Sequence, residues 1–409
     1  MDGNIIVGLD IGTTKIGVLI GELDAGGEVN IVGVGVTPSD GLRKGVVINI
    51  DKTVKAIEKA VDEAELMAGI DVDSVYVGIA GDHIKSINSK GVIAVSRSDH
   101  EITPNDIDRV LEAAKAVPLP MDREILHVIP QEYIVDDQTG IKDPVGMCGV
   151  RMEAEVHIVT GAVTSVQNVF RSVEKAGLKI NDIVLEPLAS SYAVLNNDEK
   201  ELGVVLLDMG GGTTDLAIFF EDSIRHSAVV GLGGKNVTGD IAIGLRTPVE
   251  RAEEIKRRHG LALSSMVKGD EYIEVPGVGG RESKEVSRSV LASIIEPRLE
   301  EIFNLVLREI RRTEYADMLG AGLVITGGGA LLEGCLDLAE RVFKMPVRLG
   351  TPVGFGGLTE SVKNPIFSTG VGLALYGARN GDGVYIAGEG NEFFKRVVIK
   401  MRDWVKEYF

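Results

Sequence analysis

The stretch Leu206-Leu207-Asp208-Met209-Gly210-Gly211-Gly212-Thr213-Thr214-Asp215-Leu216 decides how the rest of the chain is read. An apolar, strand-like run over 204–207 ends in Asp208. A second apolar run, 216–220, follows the glycines and threonines. Two such runs joined by a glycine–threonine tip predict a hairpin whose turn faces a ligand. Glycines let backbone N–H groups converge on an anion with no side chain in the way, and threonine hydroxyls add donors. Asp208, at a strand end, has the chemistry to hold a hydrated Mg2+ against phosphate oxygens. Taken alone, three glycines in a row describe a flexible turn equally well.

A second copy changes that balance. Residues 7–18, Val-Gly-Leu-Asp-Ile-Gly-Thr-Thr-Lys-Ile-Gly-Val, follow the same plan: strand, Asp10, Gly12, Thr13, Thr14, Lys15, strand. The later copy carries two more residues between its aspartate and its threonines. A repeated phosphate-cradling hairpin predicts two related domains that present their loops to one nucleotide from opposite sides. A third loop, Gly327-Gly328-Gly329, follows the strand-like 324–326 and precedes a run over 331–343 that reads as helical. Close backbone approach there would admit a nucleoside.

In this order the three loops resemble the phosphate-1, phosphate-2 and adenosine motifs of the actin, heat-shock-70 and sugar-kinase superfamily. An insert and a C-terminal tail, described below, narrow the resemblance to the FtsA family of actin-like bacterial cell-division proteins, and it covers essentially the whole chain. It implies an α/β, actin-like two-domain fold with duplicated ribonuclease-H-like cores, a nucleotide cleft between them and an inserted β-rich subdomain. ATP and Mg2+ are the implied cofactors. Asp10 and Asp208 would hold the metal. Gly12, Thr13, Thr14 and Lys15 with Gly210, Gly211, Gly212, Thr213 and Thr214 would cradle phosphates, and Gly327, Gly328 and Gly329 would border the adenosine. Asp215 either orients the second loop or is structural.

Two further assignments rest on the same resemblance. In the superfamily an acidic or amide residue at a strand-to-helix junction orients the attacking water, and Glu186, ahead of Pro187-Leu188-Ala189, occupies that place. By itself a glutamate near a helix start complements the helix dipole. Glu253 and Lys256 share a face of the charged run 249–259, and in the superfamily such a pair reaches ribose and adenine. By spacing alone they form a solvated ion pair.

The 409 residues leave room for two domains and an ample core. With 44% hydrophobic and 25% charged residues, the composition is that of a soluble globular protein. A net charge of −18 argues against nucleic acid as a main partner, because its phosphates would be repelled. Cys148 and Cys335, far apart and in no metal spacing, read as two reduced cytoplasmic thiols. No basic segment precedes a long apolar run at the N-terminus, so no signal peptide is expected. No apolar stretch reaches the about 18–20 residues that span a bilayer.

Along the chain, strands are expected at 29–37, 44–50 and 75–80, with a helix over 53–68 that stops at Gly69. Residues 84–160 break that rhythm. They offer strands near 83–88, 91–95, 125–135 and 152–160. A single helix lies among them, with Thr103 as N-cap, Pro104 in the first turn and Asp106 near the positive end. Such an insert resembles the subdomain peculiar to FtsA and its pilus-assembly relatives, which implies contact with the next protomer of a filament and with late division proteins. Composition alone says only "insertion".

Further on come helices over 166–176, 236–244 and 249–259, and one over 293–313 with Pro297 in its first turn. The last body helix, 365–377, is expected to pair with the Pro187 helix as a hinge. The resulting division is 1–83, 161–200 and 361–380 as first core, 84–160 as insert, 201–240 and 311–360 as second core, and 241–310 as a small subdomain closing over the nucleotide. The resemblance places the docking site for the C-terminal peptide of the tubulin-like FtsZ on that small subdomain.

A linker over 381–390, with four glycines, leads to the tail 391–409. At 100° per residue, Phe393, Phe394, Val397, Val398, Met401, Trp404, Val405, Tyr408 and Phe409 share one side, with Ile399 the misfit. The segment has five basic and three acidic side chains, in a chain that is otherwise acidic. Large apolar residues, a cationic opposite face and a glycine tether predict a helix lying in an anionic membrane surface. A helix docked on the body's own core would need neither tether nor basic face. Half-burying nine apolar side chains returns on the order of 7–13 kcal/mol gross, and ordering the tail costs on the order of 1 kcal/mol per residue. One tail therefore binds reversibly, and several on one filament bind far more tightly.

The sequence reading is a membrane-anchored, ATP-binding, self-polymerising protein that tethers the FtsZ ring to the cytoplasmic face of the cell membrane at the division site. At most it is a slow Mg-dependent ATPase, and a nucleotide-gated switch is the favoured form. The alternatives are a pilus-assembly adaptor with the same insert and a sugar kinase of the same fold. Neither needs the terminal helix. A heat-shock-70 chaperone would need a substrate-binding domain for which too few residues remain.

Overall fold

The computed structural model describes residues 5–96, 98–269 and 271–380. The linker 381–390 and the tail 391–409, on which the membrane reading falls, lie outside the described residues. Strand Ile5–Ile11 sits at the centre of the first sheet. Lys15–Leu23 and then Val29–Pro38 add antiparallel strands on one side, and Ser74–Ile79 and Lys179–Leu185 add parallel strands on the other. Gly356–Gly357 pairs along the edge of Val29–Pro38. In the second sheet Val204–Met209 takes the central place. Thr214–Phe220 and Ser223–Val230 follow antiparallel on one side, with Gly322–Thr326 and Val347–Leu349 parallel on the other. Both sheets have one connectivity, so the repeat seen in two loops extends to whole halves.

The central strands read as unbroken apolar runs because both of their faces are covered. Val7, Leu9 and Ile11 point into a core with helix Ile50–Ala68, while Ile6 points into a core with helix Ser368–Arg379. Likewise Val205, Leu207 and Met209 face helix Arg288–Arg311, whereas Val204 and Leu206 face the middle core. That middle core also takes helix Glu186–Val194, so the Glu186 and Ser368 helices lie between the two sheets. Each fully buried Leu or Ile in these layers contributes about 1.5–3 kcal/mol.

Several boundaries differ from the sequence expectation. The two strands expected at 83–88 and 91–95 are one, Lys85–Ala94, because Gly91 continues the ladder against Ala154. The strand expected over 44–50 is a small hairpin, Leu42–Arg43 with Val46–Val47. Asn49 already caps the following helix through the Lys52 N–H. Pro297 lies inside helix Arg288–Arg311 rather than in its first turn. Leu291, Ile295, Leu299 and Ile302 bury one stripe, and that packing outweighs the proline's lost hydrogen bond. The run 331–343 is broken, with a 3-10 turn Gly328–Leu331 followed by helix Cys335–Phe343. Strands Gln138–Ile141, Ser223–Val230 and Val347–Leu349 and helix Asn197–Leu202 had no distinct signal.

Strands Lys85–Ala94, Arg151–Ala162, Arg123–Val135 and Gln138–Ile141 pair antiparallel in that order and carry helix Pro104–Lys115. This sheet is continuous with the first half of the chain but is hydrogen-bonded to the edge strand of the second. Ser86 Oγ donates to Ser227 O (2.7 Å), Asn88 Nδ2 to Arg225 O (3.0 Å) and Gln131 Nε2 to Ile224 O (2.8 Å). His157, fully buried, holds Asn88 Oδ1 at 2.7 Å with one ring nitrogen and Ser227 Oγ at 2.9 Å with the other.

Burial pushes the His157 pKa down from 6.5 to about 3, and His226 and His127 add to the effect. The unfolded chain therefore takes up this proton before the folded one does. The histidine's contribution to stability is complete above about pH 6.5 and is lost as pH falls toward about 3, with a slope up to about 1.4 kcal/mol per pH unit. Urea melts at about pH 7, just above that window, and at about pH 5.5 and 4.5, inside it, should show a shallower decline for His157→Gln than for the natural chain. Parallel declines would contradict this account.

Candidate functional site

Both hairpin tips are built the same way. Gly12 N–H donates to Lys15 O at 3.0 Å, and Gly210 N–H donates to Thr213 O at 3.0 Å. The last ladder pairs are Ile11 with Ile16 and Met209 with Thr214, so each tip has the same length. Asp10 and Asp208 are thus equivalent, but the threonines are not. Thr13 and Thr14 correspond to Gly211 and Gly212, and the "two more residues" of the second copy reflect substitution rather than insertion.

The tips meet. A Cβ on Gly211 would stand 2.1 Å from Thr14 Cγ2, and one on Gly212 would stand 2.6 Å from Thr13 Oγ1. The glycines of one half receive the threonines of the other, and any larger residue would push the halves apart. The third loop joins them, since a Cβ on Gly327 would lie 2.4 Å from Asp208 Oδ1 and one on Gly329 would lie 2.9 Å from Met209 Cβ. Gly328 borders Ile366 instead.

Acidic groups crowd behind the tips. Asp208 accepts from Ser190 Oγ (3.0 Å) on the Glu186 helix and from Thr369 Oγ1 (3.1 Å) on the Ser368 helix. Burial raises its pKa, and Asp10 raises it further. Asp215 accepts from Thr213 Oγ1 at 2.8 Å, and its pKa is raised by burial and by Asp208. Glu186, first residue of its helix, is raised well above its ordinary value by burial, then by Asp10, Asp215 and Asp208. Against these four carboxylates stands Lys15, paired with Asp10 Oδ2 at 2.5 Å. The pocket therefore gathers more acidic groups than its one paired lysine can keep ionised together, a shortage of positive charge that a divalent cation removes. Among the described residues no three acidic, His or Cys groups converge as a metal cage. A donor set of separate aspartates suits an ion held largely through water and phosphate oxygens.

Glu253 and Lys256 pair at 2.7 Å on helix Val249–His259, and Lys256 Nζ also donates to Gly234 O (3.0 Å) and Thr238 Oγ1 (2.9 Å). Gly234 N–H in turn donates to Gly210 O (3.0 Å), so the pair stands beside the second tip. The structure thus brings both tips, Asp10, Asp208, Gly327, Gly329 and the Glu253–Lys256 pair together, while Gly328 faces Ile366. The tail residues from Phe393 to Tyr408 lie outside the described part. Sequence reasoning missed Ser190 and Thr369, the donors to Asp208. Hydroxyls recurring among Ala and Gly in two otherwise apolar helices were the available signal.

Two sheets of one connectivity, each contributing a glycine–threonine hairpin to a shared gap, with two helices between them, define an actin-like protein. Comparison with solved structures agrees. A chain of the PilM-PilN type IV pilus biogenesis complex superposes with a TM-score of 0.66 at 18% identity, covering 91% of this chain and 98% of its own. MreB 5 of Spiroplasma citri bound to AMPPNP superposes at 0.55 with 14% identity, covering 89% and 94%. In sequence, the family profile for cell division protein FtsA matches residues 205–372, and that for the SHS2 domain inserted in FtsA matches residues 81–160. Cell division protein FtsA of Pseudomonas aeruginosa is 50% identical over 413 aligned residues, covering 100% of this chain and 99% of its own. That of Escherichia coli K12 is 44% identical, covering 99% and 96%. The chain belongs to the FtsA family of cell division proteins.

Proposed function

We propose that this protein binds Mg·ATP between its halves, polymerises on the cytoplasmic face of the cell membrane and tethers the FtsZ ring there, helping to recruit later division proteins. The observation that carries the nucleotide part is the meeting of the two equivalent tips beside a surplus of buried carboxylates. Asp10 and Asp208 would hold the hydrated metal, and the bound ion would neutralise phosphate charge. Gly12–Lys15 and Gly210–Thr214 would cradle phosphates, Gly327–Gly329 would border the adenosine, and Glu253 and Lys256 would reach the ribose and adenine. Glu186 would place a water.

The raised Glu186 pKa leaves this group a poor base while the acidic cluster stands uncompensated. That suits a nucleotide-gated switch with slow hydrolysis at most. Residues 84–160, which include the sheet described above, would act as an insert serving protomer contacts and late division proteins. Residues 241–310 would close over the nucleotide and dock the FtsZ C-terminal peptide. Among the described residues no helix is long and apolar enough to cross a membrane, and attachment is assigned to the amphipathic sequence 391–409.

The test is co-sedimentation with anionic liposomes, with and without ATP, for the full chain and for a chain ending at residue 390. Truncation should abolish sedimentation and leave ATP binding intact. Undiminished sedimentation would refute the anchor.

A further inference from the structure

Helix Gly234–Leu245 begins against the second tip, yet its backbone has nothing left to offer an anion. Gly233 N–H is taken by Asn236 Oδ1 (3.0 Å), Gly234 N–H by Gly210 O (3.0 Å), Lys235 N–H by Gly211 O (2.8 Å) and Asn236 N–H by Gly233 O (2.9 Å). What this turn presents instead is a side chain. Lys235 reaches across the gap between the halves, and its Nζ donates to Thr13 O, at the apex of the first tip, at 2.8 Å.

Three of the lysines around the tips differ in what they face. Lys15 is bound to the Asp10 carboxylate and Lys256 to the Glu253 carboxylate. Lys235 Nζ has a neutral carbonyl as its hydrogen-bond acceptor, and no described carboxylate pairs with it. Asp40 and Glu253 act on its charge only from a distance, so it is the ammonium without a hydrogen-bonded carboxylate at the place where Thr13 and Thr14 touch Gly212 and Gly211. Its backbone is pinned to one tip and its ammonium to the other.

Resting on the nucleotide reading above, we infer that Lys235 is the residue that distinguishes a triphosphate from a diphosphate, exchanging the Thr13 carbonyl for an oxygen of the terminal phosphate. A carbonyl is a weaker acceptor for an ammonium than a phosphate oxygen, so the exchange is favourable when that phosphate is present. Without it the ammonium returns to Thr13. One side chain thereby links the second half to the first in both states, through different acceptors.

The test is calorimetric titration of ATP and of ADP, each with Mg2+, into the natural chain, Lys235→Ala and Lys235→Arg. Lys235→Ala should weaken ATP by about tenfold or more and ADP by less than about threefold, the scale of one charge-assisted hydrogen bond. Lys235→Arg, which keeps the charge, should recover most of the ATP affinity. Because the side chain is exposed and gives up one hydrogen bond to a neutral carbonyl, the melting temperature should fall by no more than about 2–4 °C. An equal loss for both nucleotides, or no loss for either, overturns the inference and leaves the nucleotide reading standing. A natural chain that binds neither nucleotide overturns both.

Discussion

Asp208→Asn is expected to raise the melting temperature of the ligand-free protein while weakening its affinity for a magnesium nucleotide by about a hundredfold, near 2.7 kcal/mol. The two effects have one cause. Asp208 is buried, and its ionised form is disfavoured by desolvation and by Asp10. An amide has the same shape, keeps an oxygen to accept from Ser190 and Thr369, and removes the charge. Without metal the natural carboxylate is a liability to folding, and with metal it supplies the charge that holds the ion. The folded carboxyl binds its proton more tightly than the unfolded one, so its penalty is complete above the raised folded value and vanishes below 3.8. The melting advantage of Asp208→Asn should therefore shrink as pH falls. Normal Mg·nucleotide affinity in this variant would mean that the metal lies elsewhere, and a lowered melting temperature at neutral pH would refute the account of the acidic cluster.

The same residues show what a sequence can and cannot disclose. The two tips were legible because glycines, threonines and an aspartate between apolar runs have few other uses, and because the pattern occurs twice. Their true correspondence was hidden. Matching threonine to threonine implies an insertion, whereas the two ladders make Thr13 and Thr14 equivalent in position to Gly211 and Gly212, and that exchange of threonine for glycine lets the two apices interlock. The polar seam of the insert was invisible for another reason. Ser86, Asn88, Gln131 and His157 read as polar strand positions facing solvent, and only the packing of Ser223–Val230 against them gives them protein partners. Ser190 and Thr369 belong to helices far apart in sequence, and they acquire a shared purpose only where those helices cross beside Asp208.

That crossing gives the second large effect, Gly372→Ala. A Cβ at this position would stand 1.9 Å from Ala189 O, 2.4 Å from Ala189 C and 3.0 Å from Ser190 N. The obstacle is backbone, not the end of a flexible side chain, so the Glu186 and Ser368 helices must separate. They lie in the core between the two sheets, with Tyr192 packed edge-on to Tyr376 at 5.7 Å and Leu373 and Ala374 fully buried. Overpacking of this kind costs about 1–3 kcal/mol when side chains give way, and a larger loss is expected where helices must. Separation also carries Ser190 and Thr369 away from Asp208, so nucleotide affinity should fall with the urea midpoint. Gly239→Ala is the matched control. It lies within helix Gly234–Leu245 with nothing within 4 Å of its added Cβ, and there alanine should stabilise by about 0.5–1 kcal/mol. If Gly372→Ala melted like the natural chain, the two helices would not be in the close contact that joins the halves. If it were destabilised but bound nucleotide normally, Ser190 and Thr369 would hold Asp208 for stability alone.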